Sequence, residues 1–520
     1  MSAQPTTVSG DQLTRDALAV LQPGFTGTEA PEWLLRQIRD GLASVGLFGR
    51  NITSPGQLAA LTAQLRAERE DILVAIDEEG GDVTRLEVVD GSSVPGNHAL
   101  GAVDDPDLTR AVAHELARRL ADCGVHLNWA PSADVNSDPD NPVIGVRSFG
   151  SDPELVARHT AAYVEGMQSA GVAACTKHFP GHGDTAVDSH HALPTIEVAA
   201  DVLADRDLTP FRAAIAAGSK AVMSAHILVP ALDPDNPATL SRRILTGLLR
   251  EELGYEGLIV TDGMEMQAIS ATYGIERGSV LAIAAGADAI CVGGGLADEQ
   301  TVIRLRDALV AAVRSGELAE ERLADAAARV RALAAWTTAT PRATGRRTPD
   351  IGLVAARRAL EITRTGEHRA LTGTPHVVSL APVANIAVGD ETPWGVAAEL
   401  AVRLPGTTSA TYARPEAGDG ELAGRVLAEA DGRRLVVVVR DEHRHPWMAR
   451  ALDALLAARP DTVVVEMGIP QSAPRGSLYV ATHGASRVCG QGERGHVVDA
   501  LGPLTAGPQR VALGHRPGGT

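Results

Sequence analysis

From residue 17 to about residue 295, short apolar runs alternate with helix-length segments whose apolar positions recur every three or four residues. Such alternation predicts repeated strand–helix units and a parallel sheet. The runs fall at 17–21, 45–48, 72–76, 126–130, 172–176, 221–224, 258–261 and 289–292. Eight units in about 330 residues fit a TIM-type (β/α)8 barrel, whose reactive groups gather at the C-terminal ends of its strands. The segments SRRILTGLLREELG and ADEQTVIRLRDALVAAVRSG, lying between or after the later runs, read as amphipathic helices packing on the outside.

The periodicity stops in TTATPRATGRRTPD, which is rich in proline, glycine and arginine and reads as a linker over 337–350. This divides the chain into a catalytic barrel, 1–336, and a smaller α/β sandwich domain, 351–520. Strands are expected in the second domain at 376–381, 435–439, 462–466 and 478–481, with helices at 395–404 and 448–458. The tail beyond Leu504, ending GHRPGGT, is expected to be poorly ordered.

Composition narrows the partners. A net charge of -18 opposes a nucleic acid or an anionic membrane, either of which needs a concentrated basic face, and leaves a small substrate as the expected partner. The opening residues MSAQPTTVSGDQLTRD lack the basic start and apolar core of a signal peptide, so a cytoplasmic protein is expected. No uncharged apolar run approaches the roughly 18 residues of a membrane span. Cys123, Cys175, Cys291 and Cys489 are far apart, without CxxC spacing, and are expected to be buried thiols. No cofactor or metal is expected.

The ends of the predicted strands carry the chemistry. Asp77 follows the third run, Asp134 and Asn136 lie past the fourth, Lys177 and His178 follow the fifth, His226 lies near the sixth and Asp262 closes the seventh. The stretch KHFPGHGDTAVDSHHALP, 177–194, adds His182, His190 and His191 with Asp184 and Asp188. Metal binding, proton transfer and a surface loop all suit that mixture.

Five motifs in order decide between them: DEEGGDVTRL (77–86), DVNSDPDNPVIGVRSFG (134–150), KHFPGHGDTAVDSH (177–190), PATLSRRIL (237–245) and VTDGMEM (260–266). Together they resemble glycoside hydrolase family 3, in its β-N-acetylglucosaminidase branch. For the second domain the likeness is architectural only. The resemblance implies a retaining, exo-acting enzyme that removes terminal β-linked N-acetylglucosamine from a small oligosaccharide or glycoside through a covalent glycosyl-aspartate. It makes Asp262 the nucleophile, against the alternative of a helix N-cap with Glu265 at capping-box spacing. It makes His190 the acid/base, preferred over the adjacent His191, with Asp188 fixing its tautomer. Gly181 and Gly183 would let the loop bend over the sugar, and His182 and Asp184 would hold its shape. Asp77, Arg85, Arg147, Lys177 and His178 would bind the sugar ring, Arg147 having Asp134 as an alternative, structural partner.

Two departures from the family pattern stand out. Glu78 and Asp82 occupy positions where close relatives tend to have glutamine and a basic residue, which predicts a more acidic rim and disfavours acidic leaving groups. Gly263 after the nucleophile, in place of the tryptophan of the β-glucosidase branch, favours the aminosugar branch. Other readings are a phosphorylase using inorganic phosphate, a β-glucosidase of mixed specificity, a metal-dependent hydrolase built on His178, His182, Asp184, Asp188 and His190, and a non-catalytic sugar-binding protein. The metal reading lacks the early HxH pair usual in such barrels. RDEHRHPW, 440–447, just after a predicted strand, is a candidate lip from the second domain.

Overall fold

The structure is a computed structural model that describes residues 10–185, 193–341, 348, 350–366, 371, 373–383, 388, 392–414 and 419–490. In its first part, strands β1 (Leu21–Pro23), β2 (Ser44–Leu47), β3 (Leu73–Ile76), β4 (Leu127–Asn128), β5 (Ala173–Phe179), β6 (Ala221–Ser224), β7 (Leu258–Thr261) and β8 (Ile290–Val292) alternate with helices. β2 to β7 form a parallel six-stranded sheet in sequence order, and β1 pairs in parallel with β8. β7 reaches β8 through a parallel bridge between Val260 and Ala289, and the Ser44 hydroxyl of β2 donates to Leu21 O of β1 at 3.1 Å. All residues of these strands are buried. Strands covered on both faces read as short continuous apolar runs, which is why counting runs located them.

One run was of a different kind. Residues 17–21 are expected as strand, but 17–19 end the helix Gly10–Ala19 and the strand starts at Leu21. Leu13, Ala17, Leu18 and Val20 are all buried at helical spacing, and a five-residue apolar run does not distinguish a helix end from a strand. β5 is longer than its run and carries Lys177 and His178 within it.

The second part holds a six-stranded sheet in the order β11-β10-β12-β13-β14-β9, from β9 (Glu361–Arg364), β10 (His376–Leu380), β11 (Thr408–Tyr412), β12 (Leu435–Val439), β13 (Val463–Glu466) and β14 (Leu478–Ala481). Alternate residues of β12 feed two cores: Val436 and Val438 pack on one side, Val437 and Val439 on the other. The edge strands β9 and β11 were not expected. Both are largely solvent-facing, so neither has an apolar run. The helix Glu320–Ala339 runs three residues into the stretch expected as linker, with Thr337 buried. The tail beyond Leu504 lies outside the described residues. Among the described residues no helix is long and apolar enough to cross a membrane.

The loop after β3 ties the two parts together. Asp82 accepts from Arg440 at 2.5 Å and from the Ala485 N–H at 2.7 Å, and its side chain is only 4% exposed. Val488 N–H donates to Ser92 O at 3.1 Å, and His443 Nε2 lies 3.0 Å from Pro139 O beyond β4. Glu78 is fully buried, and its Oε2 accepts from the N–H groups of Arg85 and Leu86 at 2.6 and 2.7 Å. The acidic rim expected from Glu78 and Asp82 is therefore absent. One carboxylate closes its own loop and the other is spent on the second sheet's connections.

Burial pushes the Glu78 carboxyl up to about 7, despite the backbone donors that favour its charged form. The unfolded chain ionises this group above its ordinary value of 4.5, while the folded chain keeps the proton to about 7. Stability therefore falls as pH rises through that window. Glu78→Gln, which has no proton to lose, is expected to gain on the parent between pH 5 and pH 8, by up to about 3 kcal/mol. Chemical denaturation at the two pH values measures this; a difference independent of pH would contradict the assignment.

Candidate active site

Parallel strands share a C-terminal edge, so residues that follow different strands converge there. At that edge Lys177 on β5 places Nζ 2.6 Å from Asp77 Oδ1, just past β3, and 2.7 Å from Glu79 Oε1. Asp77 Oδ2 lies 3.4 Å from Arg85. Glu79 also receives Arg147, from Nε at 3.1 Å and from the terminal nitrogen at 2.6 Å, a two-point grip that a lysine could not make. The Tyr163 hydroxyl donates to Glu79 O at 3.2 Å, holding the loop that carries both carboxylates.

Glu79, Arg147 and Lys177 are each 3–4% exposed. Burial alone penalises the charged form of such groups, and their mutual attraction overrides it. Burial opposes ionisation of Glu79, yet Arg147 and Lys177 hold its carboxyl down to about 2. Burial likewise opposes the charged forms of Lys177 and Arg147, but Asp77 and Glu79 raise the lysine above its usual range and Glu79 raises the arginine.

Asp134, beyond β4, organises the other side. It is wholly buried and accepts from Ser132 Oγ at 3.0 Å, from His178 N–H at 3.2 Å and from His182 N–H at 2.7 Å, while His178 Nδ1 lies 2.7 Å from its Oδ2. Burial opposes its charge, and His178 chiefly overcomes this, holding the carboxyl well below the ordinary range. An ionised Asp134 assigns the Nδ1 proton to His178, whose Nε2 lies 3.4 Å from Arg147. His182, 3.0 Å from Thr185 Oγ1, is pushed down to about 4 by burial and then by His178.

Asp262 follows β7 directly and is partly exposed. Its N–H donates to Ser224 O at 3.2 Å, its Oδ1 accepts from Gly263 N–H at 2.7 Å, and Gly263 O is 3.0 Å from His226 Nε2. The ends of β6 and β7 thereby fix its backbone. The N-cap alternative does not hold: the next helix is Gln267–Tyr273, its cap residue is Met266, and Glu265 turns to the N–H groups of Gly293, Gly294 and Gly295. Burial raises the Cys291 thiol well above its usual value, and the charges of Glu265, Asp262 and Asp77 raise it further.

Of the residues expected in the site, Asp77, Arg85, Arg147, Lys177 and His178 come together, and Asp262 stands at the end of β7, two strands along the same sheet from β5. Asp188 and His190, with His191, lie outside the described residues. Arg147 pairs with Glu79 and not with Asp134, the partner considered from sequence. Glu79 itself was missed. Its signal was a charge balance: Arg147 and Lys177 exceed Asp77 as buried partners, and DEEGG offers the missing carboxylate. Gly181 has φ +126, which suits glycine, but Gly183 serves contact instead of bending, since a Cβ there would lie 1.7 Å from Val135 O. Asp184 is engaged by Arg206 at 2.9 Å, and among the described residues no group of three or more His, Cys, Asp or Glu side chains is placed to hold a metal ion. All four cysteines are free and buried.

Comparison with known proteins bears on this arrangement. The chain is 36% identical over 313 residues to beta-hexosaminidase A of Pseudoalteromonas piscicida, a match over 55% of this chain and 52% of that protein, so it spans about half of that relative. It is 38% identical over 281 residues to a beta-hexosaminidase of Stenotrophomonas maltophilia, covering 52% of this chain and 82% of that one. A solved family 3 beta-N-acetylglucosaminidase from a Paenibacillus species superposes with a TM-score of 0.82 at 36% identity, over 92% of this chain and 95% of that one. The model for the glycosyl hydrolase family 3 N terminal domain matches residues 23–333, more than half of the chain and all of the strand ends described above, and the chain therefore belongs to glycosyl hydrolase family 3.

Proposed function

We propose that the chain is a retaining, exo-acting β-N-acetylglucosaminidase. The observation that carries this reading is the convergence of a partly exposed aspartate after β7 with the buried Asp77–Lys177–Glu79–Arg147 network after β3, β4 and β5. A strand-end aspartate supplies a nucleophile, and a fixed set of donors and acceptors supplies a sugar cradle. Two relatives named beta-hexosaminidase and a structural neighbour named beta-N-acetylglucosaminidase support the aminosugar assignment. On this reading the eight parallel strands make a (β/α)8 barrel that runs to Ala339, followed by a linker at 340–350 and a smaller α/β sandwich domain at 351–520.

In the proposed reaction Asp262 attacks the anomeric carbon as the glycosidic C–O bond breaks, and His190 gives its proton to the departing oxygen. Water then attacks the same carbon, loses a proton to His190 and releases Asp262. Asp188 holds the imidazole in the required tautomer. Asp77 accepts from ring hydroxyls, with Lys177 and Arg85 beside it. Arg147 and His178 stiffen the wall through Glu79 and Asp134. Inorganic phosphate is a competing second nucleophile, because a neutral imidazole opposes an anion less than an ionised carboxylate would.

Asp262→Ala is expected to lower turnover of aryl N-acetylglucosaminides by about a thousandfold or more, with an unchanged thermal midpoint. A slow fluorinated substrate should label Asp262 in the parent; a label on another carboxylate would reassign the nucleophile. His190→Ala is expected to lose about a hundredfold or more on poor leaving groups and far less on nitrophenolate, with Asp188→Asn following in milder form. Equal losses on both would remove His190 as the acid. Mass spectrometry of products formed in millimolar phosphate is expected to show free N-acetylglucosamine, whereas its 1-phosphate as main product would make the enzyme a phosphorylase.

A further inference from the structure

Where the second sheet's loops meet those after β3 and β4, a cleft of about 540 Å³ opens. That volume falls in the range of small-ligand sites. Val143, Ile144 and Val146 line one side, and Pro382, Val383 and Trp394 the other. Val383 is 93% exposed, an apolar side chain left uncovered at the mouth. Arg147 lines the cleft as well and also grips Glu79, so the cleft and the proposed sugar cradle share a wall.

The charges around the cleft are unevenly matched. Arg147 is taken by Glu79, and Arg440 by Asp82 at 2.5 Å. Arg444 has Asp441 as its ion-pair partner at 3.9 Å, beyond hydrogen-bond reach, and Asp441 Oδ1 accepts from Ile469 N–H at 2.8 Å. Among the described residues the Arg444 side chain makes no hydrogen bond, and it is 18% exposed. His445 beside it lines the same cleft. Burial and the Arg444 charge lower its pKa, so it adds no competing cation at neutral pH. The lining thus presents one guanidinium with unused donors between apolar walls.

We propose that this cleft is the leaving-group subsite and that Arg444 selects leaving groups carrying an anionic substituent such as a carboxylate. The inference rests on the glycosidase reading, since a sugar held between Asp77 and Asp262 must direct its leaving group out of the cradle, and Arg147 joins the cradle to the cleft. It reverses the expectation from sequence. The acidic residues thought to repel such groups are consumed, Glu78 inside its loop and Asp82 by Arg440 and Ala485.

The test compares two aryl N-acetylglucosaminides, a carboxylated nitrophenyl glycoside and its methyl ester. Taking kcat/KM as the acid-to-ester ratio cancels general effects of a substitution on the chemistry. In Arg444→Met that ratio is expected to fall about five- to tenfold relative to the parent. Arg444→Lys, which keeps the charge, should retain most of the ratio, and the parent's ratio should shrink as salt is raised. Thermal midpoints show whether each variant is folded. Turnover of both substrates with a ratio unmoved by Arg444→Met or by salt overturns the subsite and leaves the glycosidase intact. Failure of the parent to cleave either substrate overturns the glycosidase reading and the subsite with it.

Discussion

The strand-end site depends on the carboxylate of Glu79. It is buried between Arg147 and Lys177, and each of those cations would otherwise sit in low dielectric at a cost of several kcal/mol. With Glu79 in place, Lys177 is shared between two carboxylates and can lean on Asp77 without losing its charge. Asp77 in turn stays poised at the edge, between Lys177 and Arg85, with oxygens that can still accept from a ligand. A buried ion network adds little net stability, but it fixes geometry, because any displacement leaves a charge uncompensated.

The seven residues DEEGGDV show how far surroundings decide what a carboxylate does. Asp77 faces the open edge and Glu79 meets two cations, so both serve as anions. Glu78 lies between them in sequence but meets backbone N–H groups in a dry loop, where burial raises its pKa to about 7. Asp82, five residues after the first, crosses to Arg440 and Ala485. Four acids of one motif thus serve a strand-end edge, a charge network, a loop and an interface. One short loop couples the strand-end edge to the second sheet.

Much of this was legible in the sequence because buried parallel strands appear as apolar runs, and the ends of those runs locate the reactive edge. The predictions weakened where that signal is absent. Residues 17–19 are buried in a helix end and look like strand, while β9 and β11 are exposed edges without an apolar run. Asp77, Arg85, Arg147, Lys177 and His178 were placed together through motif resemblance, but their pairing was not. Sequence offered Asp134 as the carboxylate for Arg147, and only the fold shows that Asp134 is saturated by His178, His182 and Ser132. The acidic rim failed for a related reason: sequence counts a charge, but burial and partners decide whether a ligand meets it.

That saturation also explains why two neighbouring networks remain distinct. Asp134 takes the N–H groups of His178 and His182 and the Ser132 hydroxyl, so it has no capacity left for Arg147. Arg147 must therefore turn to Glu79, and this brings its other edge to within 3.4 Å of His178 Nε2. The imidazole is held from both sides, by the Asp134 carboxylate at Nδ1 and the Arg147 guanidinium near Nε2. A residue that sequence places among sugar donors is thereby locked into the wall of the strand-end edge by two charged partners.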